Sequence, residues 1–458
     1  NVEEALPYRF RGLAGRFTYG FDDRYFAEFN FGYNGSENFT PKNRYGFFPS
    51  VGLGWVISNE SFFEPLTNVI QYLKVRGTWG QVGNSQISGR RFAYLATVTD
   101  SSSTSYTFGK NMDQNYGTTA IDEYAVDVTW EVADKTDIGV DMRLLNNKLN
   151  LQFDYFKESR EGIYLRRSSI PSYVGMINNP YGNIGKVENK GFELSVNYAN
   201  SWGGDWSLSL MGNYSFNRNK VLEDDSTVVY PWQNTIGNKV GQRFGLVALG
   251  LFESYGEIAA SPVQTGDTRP GDIKYKDING DGKIDEYDKV PIGWGSVPEI
   301  MYGFGFSLGW KNLSLTAMFQ GAAHVDAMLS GEGVLPFSQG SSRGNLLSNI
   351  TDRWTEENPR QNAFYPRLSI GNINMNYEES TWWLKDTDYL RLKNIELSYR
   401  LPDHWMKRIH LDNARIFIQG VNLLTFSSFK IWDVELGDGR GARYPNIASV
   451  SLGVNFNF

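Results

Sequence analysis

Apolar and polar residues alternate strictly along many segments of the chain. In the final segment, Ser, Gly and Asn occupy the intervening positions. The apolar positions of that segment are Ala448, Val450, Leu452, Val454, Phe456 and Phe458. Successive side chains of a β-strand point to opposite faces, so this pattern predicts strands with one apolar face and one polar face.

Thirteen such strands can be delimited. They are expected near residues 8–21, 24–35, 46–58, 71–83, 135–145, 148–158, 190–200, 206–219, 299–310, 313–323, 387–401, 414–424 and 446–458. Aromatic residues lie near the ends of the apolar rows, as at Trp206 and Phe216. Membrane barrels have strands of about 9–11 residues, apolar outside and polar inside, with aromatic girdles. A soluble β-sandwich or propeller with an aromatic core is the alternative that alternation alone leaves open.

The lengths of the connections favour a barrel. Short turns are predicted at Asp22-Asp23, Asn146-Asn147, 201–205 and Lys311-Asn312. Long polar connections are predicted at 84–134, 159–189, 220–298, 324–386 and 425–445. From residue 135 onward short and long connections alternate, as expected for an outer-membrane barrel with short periplasmic turns and long extracellular loops. Connections this long are uncommon in compact soluble domains.

Strand parity indicates that the chain is one part of such a barrel. The first and last predicted strands both run towards the periplasm, whereas bacterial single-chain barrels have an even number of strands. Unless one strand is miscounted, we therefore expect residues 1–458 to lack the strands that precede them. The chain begins at Asn1 without Met or a secretory leader, which fits either a removed signal or a longer protein.

Composition removes several other classes. Zero cysteines exclude disulfide frameworks, thiolate zinc sites and thiol nucleophiles. A net charge of -7 argues against a nucleic-acid-binding protein, because such proteins present a basic surface to the phosphates. Aromatic residues make up 15% of the chain, which is too many for a disordered protein. A mean hydropathy of -0.41 is compatible with a barrel, in which every second residue is polar.

One motif points to a metal ion. The run 277–288 matches the calcium-loop pattern D-x-[DN]-x-[DN]-G. Its predicted ligands are Asp277, Asn279, Asp281, the Lys283 carbonyl, Asp285 and Asp288. Hard Ca²⁺ takes six to eight oxygen ligands, and Gly282 permits the sharp turn. Position 12 is Asp rather than Glu, and no convincing helices flank the loop, so we expect an isolated structural site; an acidic solvated turn is the alternative.

Other chemical signals are weak. His324, His404 and His410 have no metal or nucleophile spacing, and a structural role is expected for them. The alternating glycines of 303–309 lie on a predicted strand. A phosphate-binding glycine loop leads into a helix N-terminus, so this segment is not expected to bind phosphate. No carboxylate pair is singled out for glycosidase chemistry. Aromatic residues in or beside the long connections could bind sugars or peptides, but packing is the expected role. They are Tyr173, Tyr181, Tyr230, Trp232, Trp294, Phe337, Tyr365, Trp382, Trp383 and Trp432.

Several motifs together resemble the SusC/RagA-type TonB-dependent outer-membrane transporters. They are Leu73–Gly77 leading to Gly80–Asn84, Trp130-Glu131 before Ile138-Gly139, Asn183–Leu194, Gly271–Ile273 before the 277–288 loop, Tyr389–Tyr399 and the terminal Phe458. The matches occur in the family's order over nearly the whole chain.

The resemblance implies an all-β, antiparallel transmembrane barrel of 22 strands closed by a plug. Residues 1–458 would supply the last 13 strands, with long extracellular loops at 220–298 and 324–386 and a periplasmic C-terminus. It implies outer-membrane import of glycan fragments or oligopeptides, powered by TonB through the plug. A SusD-like surface lipoprotein would be the partner, and a dimer of transporter–lipoprotein pairs is compatible with it.

Under this interpretation the protein is not an enzyme. The competing hypothesis is an outer-membrane or secreted β-protein that hydrolyses glycans, or that only binds them. Such an enzyme needs titratable groups that converge in a cleft, and their spacing is not visible in the sequence. A purely structural or adhesive surface barrel is the third possibility. The transported solute is not specified by any of the matched motifs.

Overall fold

The computed structural model describes residues 7–87, 90–112, 114–338, 346–406 and 412–457. Their main feature is one sheet of 13 strands, in which each strand pairs antiparallel with its neighbours in the chain order. All 13 predicted strands are present, so the predicted fold class is confirmed. The first and last strands are the two edges of the sheet.

The strands of this sheet are numbered β1 to β13. They are β1 Phe10–Phe21, β2 Tyr25–Ser36, β3 Tyr45–Val56, β4 Ile70–Asn84, β5 Glu131–Leu144, β6 Leu149–Arg166, β7 Tyr181–Trp202, β8 Trp206–Glu223, β9 Ile300–Trp310, β10 Leu313–Ala323, β11 Tyr389–Arg400, β12 Asn413–Ser427 and β13 Ser449–Asn457.

The connections contain shorter elements. Thr97–Phe108 and Gln114–Glu123 form an antiparallel pair within the connection between β4 and β5. Short strands are Arg243–Gly245, Ala248–Leu251, Val263–Gln264, Ile273–Tyr275, Lys283–Ile284, Val290–Ile292, Asp326–Met328 and Leu384–Asp386. The α-helices are Tyr255–Ala259 and Asp403–Met406. Turns of 3₁₀ helix are Ile57–Asn59, Ser61–Leu66, Ser172–Val174, Pro231–Gln233, Glu286–Asp288, Ser348–Thr351, Met375–Tyr377 and Val434–Leu436. Within the described part of the chain, no helix is long and apolar enough to cross a membrane.

Strand register gives the sheet two different faces. Phe17, Phe29, Val51 and Trp79 are aligned across β1 to β4, and all four side chains are exposed. The neighbouring row on the other face, which starts at Thr18, is polar or glycine. The same division continues through β13. An apolar surface of this extent is far larger than soluble monomers leave uncovered.

Tight turns join the strands at one end of the sheet. Asp22 and Asp23 have φ angles of 54° and 50°. These left-handed values at both central residues are those of a type I′ turn, whose twist matches that of the flanking strands. Gly203 and Gly204 have φ angles of 63° and 72° between β7 and β8. The long connections therefore all lie at the opposite end.

Several strands extend beyond their predicted ends, and the differences are largest in β6 and β7. The connection predicted at 159–189 is wrong in extent, because β6 and β7 remain paired as far as Arg166 and Tyr181. Strand β8 likewise continues to Glu223, so the next connection begins at residue 224. At Lys157, Ser159 and Glu161 the apolar row of β6 is replaced by polar residues. The alternation that predicts a strand is therefore lost although the backbone ladder continues.

The long connections 224–299, 324–388 and 428–448 pack into a single body, which we call the loop layer. Its buried apolar side chains come from all three connections. They are Leu246, Leu251, Ile273, Tyr275, Ile284, Ile292, Met328, Leu329, Val334, Leu335, Trp354, Ala363, Tyr365, Trp383, Phe429 and Val434. The sequence predicted long polar loops; the structure shows a folded layer with its own hydrophobic core.

Candidate functional site

The polar face of the sheet carries a charged cluster across β4 to β6. Arg76 donates to Asp137 at 3.0 Å and to Asp141 at 3.4 Å, and it also contacts Asp154. The register places Gly139 between these side chains, where an added Cβ would meet both Arg76 and Asp154. Three carboxylates thus surround one guanidinium, which leaves this part of the wall with net negative charge.

Elsewhere the polar face changes in character. On β1 and β2, Arg16 and Asn30 both donate to Glu28, each at 2.7 Å. Across β8 to β10 the wall is lined by small residues, with Ser209, Ser307 and Thr316 aligned. A wall that consists mainly of charged and hydroxyl-rich sectors suits the passage of a polar solute.

The loop layer is joined by a buried carboxylate. Asp272 is 1% exposed and accepts two hydrogen bonds from Arg367, both at 2.9 Å. Asn374 and Asn376 donate to the same carboxylate at 3.1 and 2.8 Å. Gly271, with a φ of 87°, lets the chain pass against the ring of Trp354. This cluster fastens connection 224–299 to connection 324–388.

A second buried pair fastens connection 428–448 to the sheet. Arg391 of β11 is 2% exposed and contacts Asp433 at 2.6 Å and Glu435 at 2.5 Å. Burial acts to raise the pKa of Asp433, but the hydrogen bonds from Arg391 and from backbone amides outweigh it, so the pKa is lowered. Asn446 also donates its backbone amide to Asp433. The connection is therefore folded back against the end of the strands.

The predicted calcium loop lies at the surface of the loop layer. Asp277 accepts from the amides of Gly280 and Gly282 at 2.7 and 2.9 Å. Asp288 is fully buried and accepts from the amides of Ile278 and Asp285 at 2.7 and 2.9 Å.

The remaining predicted ligands of this loop make similar local contacts. Asn279 accepts from the amide of Asp281 at 3.0 Å, and Asp281 accepts from the amide of Lys283 at 2.9 Å. Asp285 accepts from the amide of Tyr287 at 2.9 Å. Among the described residues, no three acidic, histidine or cysteine side chains converge as a metal-binding group. The donors are all hard oxygens, which is the chemistry that Ca²⁺ requires.

The histidines occupy separate places. His324 stacks on Trp294 with ring centroids 4.0 Å apart, and its Nδ1 lies 3.2 Å from Glu299. His404 lies in the short helix Asp403–Met406. His410 and the terminal Phe458 fall outside the described residues. None of the three histidines is brought into a common site by the described structure.

The loop aromatics divide into buried and exposed groups. Tyr365 and Trp383 lie in the core of the loop layer. Tyr230 stacks on Trp232 with ring centroids 4.6 Å apart. Tyr173, by contrast, is almost fully exposed. Most of these aromatics therefore pack the loops together.

The cluster around Asp272 was indicated in the sequence only by the Gly271–Ile273 motif.

A family profile described as "TonB dependent receptor-like, beta-barrel" matches residues 8–423. The chain belongs to this receptor family. Membership makes the two-faced sheet part of the barrel of an outer-membrane TonB-dependent receptor, and it confirms the resemblance predicted from the sequence.

Individual relatives agree with this family. TonB-dependent receptor P3 of Formosa agariphila is 29% identical over 472 residues, which cover 97% of this chain and 45% of that protein. TonB-dependent receptor SusC of Bacteroides thetaiotaomicron is 27% identical over 462 residues, which cover 97% and 43%. This TonB-dependent receptor chain thus spans less than half the length of the curated relatives it matches.

A solved structure shares the fold. The RagAB peptide importer in its "closed-closed" state superposes with a TM-score of 0.74 over 98% of this chain and 48% of the importer chain, at 22% identity. At this identity the match shows a common fold. The receptor's 13-stranded sheet and its loop layer are therefore arrangements found in a known importer.

Proposed function

We propose that this receptor chain forms part of the wall and loop layer of an outer-membrane importer of glycan fragments or oligopeptides. The observation that carries the proposal is the sheet with one apolar and one polar face, in a TonB-dependent receptor. In the complete protein we expect 22 strands around a plug, with 13 of them supplied by residues 1–458. The polar face would line the path of the solute.

The long-loop end would be extracellular and the C-terminus periplasmic, because outer-membrane barrels have short turns on the periplasmic side. The chain has no cysteine, so single cysteines can report this orientation. Val229 in the loop layer and Lys311 in a short turn are both exposed. On intact cells, a membrane-impermeant maleimide should label Val229→Cys, and should label Lys311→Cys only after lysis. The reverse result would contradict the orientation.

Import would be powered through TonB by segments outside this chain. A SusD-like lipoprotein would cover the loop layer. Two of these transporter–lipoprotein pairs would associate as a dimer. The similarity to TonB-dependent receptor SusC and to the RagAB peptide importer supports this proposal. Cells that lack the full gene should lose uptake of labelled oligosaccharides or oligopeptides, and the gene should restore it only where TonB is functional. Uptake unchanged by the deletion would refute the proposal.

No residue of the chain is assigned a covalent step. The inner-wall charges bind and orient a passing solute, and the loop layer forms the entrance. The enzymatic alternative has a direct test in the purified full-length receptor. Release of shorter products from oligosaccharides, in an amount that follows the receptor concentration, would overturn the transport-only account.

The loop 277–288 is further proposed to hold a structural Ca²⁺. The regular spacing of Asp277, Asn279, Asp281 and Asp285, together with the Lys283 carbonyl and Asp288, supports this. Calcium binding should slow amide exchange in the loop, and the double substitution Asp277→Asn with Asp281→Asn should abolish the effect. A matched change of the acidic Asp225 outside the loop should leave it intact. Exchange that does not respond to Ca²⁺ would exclude the site.

A further inference from the structure

A cavity of about 360 Å³ lies in the loop layer, where connections 324–388 and 428–448 meet. Its apolar wall contains Phe364, Phe429 and Ile431. The polar groups of the lining are Lys385, Asp386, Ser428 and Lys430. Binding pockets for small ligands typically have volumes of about 300–1,000 Å³ and combine apolar walls with a few polar groups. The cavity has the composition and the size of a binding site.

Lys385 is the unusual feature of this cavity. It belongs to the short strand Leu384–Asp386, and its Nζ donates to the carbonyl of Trp382 at 2.7 Å. The Nζ also lies 5.4 Å from the ring centre of Phe364. Among the described residues it has no ion-pair partner, and burial alone lowers its pKa. Lys289 of the same layer differs, since it contacts both Glu286 and Glu378.

Lys385 is partly buried. An ammonium that leaves water without gaining an opposite charge loses solvation free energy. The single carbonyl and the aromatic ring offset part of this cost, and two N–H donors remain. Asp386 follows on the same strand, but its carboxylate accepts from the amide of Asp388 at 2.8 Å. The cavity is thus lined by two ammonium groups, those of Lys385 and Lys430, and one carboxylate, so an anion that enters it would balance the excess positive charge.

We propose that this cavity binds a carboxylate that is joined to an apolar or aromatic group. Lys385 would donate to the carboxylate, while Phe429 and Ile431 contact the apolar part. The C-terminus of a peptide with an apolar last residue has this chemistry, whereas a neutral sugar lacks the anion. The inference names a class of solute and to that extent rests on the proposed import function.

The test uses the full-length receptor purified in detergent, with N-acetylphenylalanine as the probe and N-acetylphenylalaninamide as its neutral counterpart. Calorimetry or ligand-observed NMR gives both affinities. We expect the acid to bind at least about tenfold more tightly than the amide, because a hydrogen bond to a charged group contributes that much. The substitution Lys385→Met should remove this preference, and Lys289→Met should retain it.

A second measurement uses the unaltered receptor and therefore needs no variant. Reductive methylation of the unaltered receptor, read by mass spectrometry, should modify Lys385 readily, and N-acetylphenylalanine should protect it while the amide should not. Equal binding of acid and amide, full binding by a folded Lys385→Met variant, or absence of protection would each overturn the proposal. Because binding is measured without TonB, a failure of import in cells would leave this result standing and would refute only the proposed transport.

Discussion

The buried carboxylate of Asp272 offers a quantitative test of how the loop layer is held together. Asp272→Asn keeps the shape of the side chain but removes its charge, and it places an NH₂ group opposite a donor of Arg367, because Arg367 donates to both carboxylate oxygens. The guanidinium of Arg367, which is mostly buried, is then left without its partner. The substitution therefore breaks a buried ion pair from one side only.

The cost follows from the geometry. Removing one partner of a buried pair destabilises by about 3–5 kcal/mol. Asn retains one acceptor oxygen, so we expect the lower end, about 3 kcal/mol, which corresponds to roughly 100-fold faster exchange of amides that open with the layer. Deuterium exchange of residues 272–276 and 375–384 in the full-length receptor measures this, since the sheet serves as an internal reference.

Two variants make the result interpretable. Asp272→Asn combined with Arg367→Met removes both charges and should recover at least about tenfold of the lost protection, because the unpaired guanidinium is gone. Asp352→Asn breaks the exposed pair with Arg360 in the same layer and should change exchange by less than about fivefold. The reasoning would be refuted by unchanged exchange in Asp272→Asn, or by a double variant no better protected than the single one.

Three further predictions concern other parts of the chain. Trp383→Ala should destabilise the loop layer by about 3–5 kcal/mol because it empties a fully buried site, and Trp383→Phe should cost less in the same exchange experiment. The lowered pKa of Asp433 means that its contact with Arg391 is complete at neutral pH and is lost as the pH falls below about 4. Fluorescence of Trp432 should report this, and Asp433→Asn should abolish the dependence. Leu210→Arg on the apolar face should cost about 2–4 kcal/mol in lipid, seen as reduced folded receptor on unheated gels, whereas Ser209→Arg on the polar face should be tolerated.

The sheet could be predicted because its signal is local. In β9, every second residue from Ile300 to Trp310 is apolar, and only Lys311 and Asn312 separate this strand from β10. Register then follows from the requirement that apolar residues share one face. The prediction failed where this pattern is interrupted: Lys157, Ser159 and Glu161 replace the apolar row of β6, yet the strand stays paired with β7.

The loop layer could not be predicted for the opposite reason. Its core joins residues far apart in the chain, such as Leu246, Trp354 and Phe429. Its strands of two to four residues are too short to display a period. Asp272 and Arg367 are separated by 95 positions. An unpaired charge such as Lys385 becomes recognisable only when its surroundings are known.

The account rests on the claim that the apolar face of the 13-stranded sheet contacts lipid and the polar face contacts water. Spin labels at Leu210→Cys and Ser209→Cys, neighbours on opposite faces of β8, test this claim in the full-length receptor in bilayers. We predict that the label at 210 is accessible to oxygen and protected from a water-soluble nickel complex, and that the label at 209 shows the reverse. Equal accessibility of both labels to the nickel complex would contradict the account.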